Sequence, residues 1–226
     1  QLYYTLGDKV STPTSLGRVC ASLIATQSYI MLSNSAVVML GGEEIFRSKE
    51  LSGEDRSEVS ITTYENMYGH YVSHNSYNAP ITTNSFKWDN KLSITKDGET
   101  VDTSSYLSTL SKAIKLHISM PKISYSDGFP YITTSNGNSI ANISLAGSQK
   151  GSSNAQTYQG CAGFQFDEYF IFLAGRNWGW VQFGDVSVCD KIFEFGANEY
   201  DSVNGTVNLG NYDKDYGGAI VVYKRR

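Results

Sequence analysis

The sequence predicts a mainly β protein: an antiparallel β-sandwich or β-rich domains, with one short helix near residues 103–115. Three observations carry this. Apolar and aromatic residues come in short runs bounded by Gly, Asn, Asp and Ser clusters, which is strand and hairpin grammar. Only Asp102 to Lys115 spaces its apolar residues at helical intervals. In the most aromatic stretch, Gly160 to Cys189, Trp178 and Trp180 alternate with Gly179, Val181 and Phe183. A period of two marks a strand with two different faces.

The elements follow in chain order. Gln1 to Thr14 opens with Leu2, Tyr3, Tyr4 and Leu6, then a Gly7-Asp8 turn signal. Arg18 to Phe46 reads as a strand-rich block. Val19 to Thr26 is apolar, Tyr29 to Leu32 is a strand, Ser33-Asn34-Ser35 is a turn, and Ala36 to Leu40 is a strand ending at Gly41-Gly42. Ser48 to Ser60 is charged and small, as exposed loops are. Ile61 to Pro80 is rich in Tyr, His and Asn without a clear period. Ile81 to Thr95 reads as a strand pair, with Lys96-Asp97-Gly98-Glu99 as the next turn.

The helix is capped by Asp102 or Thr103 and carries an apolar stripe of Tyr106, Leu107, Leu110, Ala113 and Ile114. Leu116 to Met120 alternates as a strand stopped by Pro121. Gly128 to Ala146 reads as strand, turn and strand; Gly147 to Gln156 is linker-like. Phe164 to Leu173 is a buried strand, Gly175-Arg176-Asn177 a turn, and Trp178 to Gly184 the second strand of a hairpin. Val186 to Cys189 and Lys191 to Phe195 follow, then a polar loop and a closing strand, Ala219 to Tyr223. The chain is taken as one β-rich unit, 1–226, or as two β subdomains, 1–100 and 116–226, joined by the helix 103–115.

Length and charge bound the function. A chain of 226 residues buries a substantial core. A net charge of -4 argues against nucleic acid, which needs a basic face. The one basic cluster, Lys224-Arg225-Arg226, reads as a solvated tail. No apolar run approaches the roughly 18 residues that span a bilayer, so a soluble protein without membrane insertion is expected. Residue 1 is Gln, which implies a removed signal peptide or a longer parent chain. Cys20, Cys161 and Cys189 are odd in number and form no CxxC; one bridge plus a thiol, or three thiols, both fit. Sequons stand at Asn142-Ile143-Ser144 and Asn204-Gly205-Thr206.

The chemistry-bearing residues give no catalytic motif: there is no GxSxG and no Walker loop. His70 and His74, with Glu65 near, lack a third close ligand, so no metal or cofactor is expected. Asp and Asn residues between Asp185 and Asp215 lack a calcium-loop pattern. Glu43-Glu44 and Asp167-Glu168 are acid pairs near aromatics, the material of glycosidases, yet adjacent strand residues point to opposite faces. Tyr, Ser, Gly and Asn dominate elsewhere, and these build adaptable recognition surfaces. The tryptophans read either as core packing or as a stacking platform.

In composition the chain resembles the receptor-binding tips of phage tail fibres and related trimeric adhesins. The likeness lies in the absent initiator Met, the Gly/Ser/Asn/Tyr-rich β segments, the short helix and the closing strand Gly217 to Tyr223. It spans the whole chain but rests on no motif, so no functional residue is carried over. It implies a homotrimer, extracellular or on a virion surface, that binds a cell-surface glycan or protein receptor and does no chemistry. The expected ligand-binding residues are Trp178, Trp180, Tyr169, Tyr68, Tyr71, His74 and Tyr77. The alternatives are a secreted carbohydrate-active enzyme of glycoside hydrolase type, using Asp167, Glu168 or Glu43, and a structural virion or coat component.

Overall fold

A strand whose residues are apolar on both sides must be covered on both faces, and residues 169–174 and 219–223 are of that kind. The computed structural model shows what covers them. It describes residues 15–33, 37–39, 41–47, 63–65, 71–73, 81–96, 98–121, 161–166, 168–175, 178–210 and 218–226. The chain divides into two compact units, one of residues 1–16 and 39–104, the other of 17–38 and 105–226. The described residues are mainly β, as the sequence predicts, and every strand pair is antiparallel.

The larger unit has three layers. Its middle is a four-stranded sheet in the order β5 (Cys161–Phe166), β6 (Tyr169–Ala174), β11 (Ala219–Arg225), β8 (Cys189–Phe195). A three-stranded sheet covers one face, in the order β7 (Gly179–Gln182), β10 (Thr206–Leu209), β9 (Asn198–Asp201). Phe170, Phe172, Val181, Phe183, Val207, Leu209, Val221 and Tyr223 fill the space between. Phe183 lies 4.9 Å from Phe170 and 5.1 Å from Phe172, centroid to centroid, within the range of favourable ring pairs.

Two helices cover the other face: α1 (Leu16–Met31) and α3 (Ser104–Ser119). Ala25, Leu32, Ala113 and Met120 pack there on Tyr169, Ile171, Leu173, Phe193, Ile220 and Val222. The helix backbone comes close at one point. A Cβ on Gly218 would stand 2.5 Å from the Cα of Ser22, so only glycine lets α1 lie against the start of β11.

Several expectations are corrected. Val19 to Met31 is helix, not strand: Leu16, Val19, Cys20 and Ile24, with Leu32 just past its end, recur at helical spacing and are buried. The buried Arg18, Ser22, Gln27 and Ser28 blur that stripe. Leu116 to Ser119 continues α3, since Leu110, Ala113 and Met120 carry one stripe through it. Residues 37–39 are irregular rather than strand. The run Phe164 to Leu173 is two strands folded on each other, with Phe166 opposite Tyr169. β7 pairs with β10 and not with β6, so the expected hairpin does not form. A 3-10 turn, Gly184–Val188, precedes β8. Within the polar stretch after Phe195, residues 198–209 form the β9–β10 pair.

The basic end is also structured. Lys224 and Arg225 belong to β11; Lys224 pairs with Glu168 at 2.9 Å and Arg226 with Asp190 at 2.8 Å. Edge strand β8 skips Ile192 in its register and exposes Lys191 and Glu194. A bulge and edge charges discourage pairing with another chain.

The smaller unit is built of short pieces: a 3-10 turn at Glu43–Ile45, the pair β1 (Thr63–Glu65) and β2 (Tyr71–Ser73), the one-turn α2 (Ile81–Asn84), a 3-10 turn at Trp88–Lys91, and the hairpin β3 (Ser93–Lys96) and β4 (Glu99–Asp102). The expected strand at Ile81 is a helical turn. Side chains tie the pieces: Arg47 Nη2 donates to Asn84 Oδ1 at 3.0 Å, and Asn90 Nδ2 to the Ile45 carbonyl at 3.1 Å. Thr103 Oγ1 donates to the Asn90 carbonyl. Asp102 Oδ1 accepts from Ser104 N at 2.8 Å and from Ser104 Oγ at 2.7 Å, which caps α3 as expected and holds the carboxyl below its usual range. The segments expected as strands and linker at 128–156, and as loop at 48–60, lie outside the described residues.

Candidate functional site

The outer face of the three-stranded sheet is where alternation leaves side chains for a ligand. Val181 and Val207 are fully buried and point into the core with Leu209. Their strand neighbours therefore point outward. In the register, Asn208 stands opposite Trp180 on β7 and opposite Glu199 on β9. Trp180, Asn208 and Glu199 thus form one cross-strand row. Trp180 is 38% exposed, Glu199 is exposed and Asn208 is half-buried. Strands spaced about 4.8 Å apart put the ends of this row about 10 Å apart.

The next row holds Thr206 opposite Asp201. The Asp201 carboxylate closes the β9–β10 turn: it accepts from Val203 N at 2.9 Å, Asn204 N at 3.2 Å and Asn204 Nδ2 at 2.6 Å. These donors, the Asn204 side chain first, hold it below the usual carboxyl range. At the other end of the ladder, Gly210 has φ +78°, and a Cβ there would stand 2.8 Å from the Cα of Trp178. Glycine at 210 therefore lets the chain leave β10 against Trp178, one residue before β7. Below the face lies close-packed aromatic core, so the platform is rigid.

The expected site residues do not all meet here. Trp180 lies on the face and half-buried Trp178 beside its end. Tyr169 is 6% exposed and sits in the core between sheet and helices, with Lys224 Nζ 5.4 Å from its ring centre. Tyr71 belongs to β2, but its side chain, like Tyr68, His74 and Tyr77, lies outside the described residues. Of the carboxylates weighed for catalysis, Glu168 pairs with Lys224 of β11 at 2.9 Å, and Glu43 opens the 3-10 turn Glu43–Ile45, where its neighbour Glu44 Oε2 accepts from Gly42 N at 2.9 Å. Asp167 lies outside the described residues. The described residues contain no cluster of ligands that could hold a metal ion.

Two features escaped the sequence reading. Asn208 and Glu199 join Trp180 only through pairing between separate strands, which leaves no local signal. Trp88, 64% exposed, stacks on Phe86 at 4.7 Å in the smaller unit. Its signal was present: two aromatics flank Lys87 in a segment read as strand. No disulfide joins the three cysteines, and burial pushes the Cys161 thiol up to about 12, so it stays protonated at neutral pH. No helix among the described residues is long and apolar enough to cross a membrane. In comparisons with known proteins, the chain matches no family model, no curated relative and no solved structure.

Proposed function

We propose that this chain is a non-enzymatic binding protein that recognises a cell-surface glycan through the outer face of its three-stranded sheet. The observation that supports this is the row Trp180, Asn208, Glu199, exposed at both ends, on a sheet backed by close-packed core. An indole offers a flat apolar surface to the C–H face of a sugar ring. An amide and a carboxylate beside it offer a donor and acceptors to its hydroxyl groups. On this reading the protein acts outside the cell or on a virion surface, as a homotrimer, in the manner its composition resembles.

The test is a glycan array probed with the wild-type chain and with Trp180→Ala. Loss of a stacked tryptophan at the centre of a contact costs about 2 kcal/mol or more, or about 30-fold in affinity. Wild-type binding that survives Trp180→Ala undiminished would remove the face from the reading. Light scattering tests the assembly: a stable trimer supports the fibre-tip reading, and a monomer speaks against it.

A further inference from the structure

The charge of the same face narrows the ligand. We infer, building on the reading above, that the Trp180 face takes a neutral sugar and discriminates against an acidic one. The row ends in the exposed carboxylate of Glu199, two strands from Trp180. The adjacent row ends in Asp201, whose carboxylate is kept ionised by three donors from its own turn. Both anions stand on β9, across Asn208 from Trp180.

For a neutral sugar this is favourable. A hydroxyl donating to a carboxylate makes a stronger bond than one donating to a neutral acceptor, and the span of about 10 Å suits a ring on the indole with its hydroxyls toward β9. A uronate or sialate stacked on Trp180 would bring a third anion to within about 10 Å of the Glu199 and Asp201 carboxylates. Like charges at such distances in water weaken binding by about three- to tenfold. Salt at about 0.5 M shrinks the effect, because screening then acts within a few ångströms. Asp201 is engaged by its turn, so Glu199 is the carboxylate that a ligand meets.

The experiment measures binding of neutral gluco- and galacto-oligosaccharides and of their uronic-acid counterparts, at low and high salt. It uses the wild-type chain, Glu199→Gln and Trp180→Ala. The expected result is tighter binding of the neutral member of each pair, a gap that narrows in Glu199→Gln and in salt, and loss of all binding in Trp180→Ala. If Trp180→Ala abolishes binding but wild type and Glu199→Gln hold neutral and acidic sugars alike, the charge inference fails and the glycan reading stands. If wild type binds no sugar of the panel, or binds as Trp180→Ala does, the reading of the face fails and the inference falls with it.

Discussion

The two sheets of the larger unit are made of similar strands, yet they differ in how they are covered. The four-stranded sheet has side chains buried on both faces: every residue of β6 is buried, as are Ala219 to Tyr223 of β11. The three-stranded sheet is apolar on one face only, and its other face holds Trp180, Asn208, Glu199 and Asp201. The doubly covered strands β6 and β11 have little surface to spend on recognition, so their sequence answers mainly to packing. A singly covered sheet can vary its outer row without disturbing the core below. On the reading proposed above, binding belongs on the second sheet and stability in the first.

This division can be broken by substitution. Phe172→Ala, in the middle of the doubly covered sheet, should cost about 3–5 kcal/mol in chemical denaturation, because the ring is fully buried and the cavity cannot collapse. Gly210→Ala should cost about 1–3 kcal/mol, since it combines a left-handed backbone with a clash against Trp178. A smaller effect comes with pH. The folded pKa of Asp201 and of Asp102 lies below the ordinary aspartate value, so what they contribute is whole above about pH 4. It fades as pH falls through the folded values. Asp201→Asn should flatten the acid limb of stability against pH, and an unchanged limb would show that the N–H donors of Val203 and Asn204, which an amide oxygen also satisfies, hold that loop and not the charge. The smallest effect is expected at the site itself. Trp180→Ala should cost no more than about 1 kcal/mol, the worth of a cross-strand pair. A loss comparable to that of Phe172→Ala would show that the outer face is covered and that the two sheets do not differ as described.

Two hairpins show where the sequence was legible. β3 and β4 are joined across Asp97-Gly98, with Lys96 opposite Glu99. Asp-Gly between strands is among the strongest local turn signals, and the turn was read correctly. β5 and β6 are also joined across two residues, Asp167-Glu168, but this pair contains no glycine, and aromatics on both sides ran together as one strand. The inward alternation of Val181 and Phe183 around Trp180 was legible because period two is a local property. Which strand lay beside Trp180 was not, since β10 follows β7 by more than twenty positions in the chain. Helix α1 was missed for another reason: its buried face includes Arg18, Ser22, Gln27 and Ser28, and burial of polar residues is a tertiary decision.

The place of β11 in its sheet bears on how the protein is made. It is the strand that joins β6 to β8, and it follows both in the chain. As the polypeptide leaves the ribosome, β6 and β8 are finished while the strand between them is still unmade. Until residues 219–225 emerge, the apolar strand β6 and the mixed strand β8 wait with open edges, and α1, with Ser22 waiting for Gly218, has no complete surface to lie on. The middle layer must therefore close after synthesis has passed that point, through contacts distant in sequence, which fold slowly. During that interval the nascent chain is open to pairing with its neighbours on a polysome.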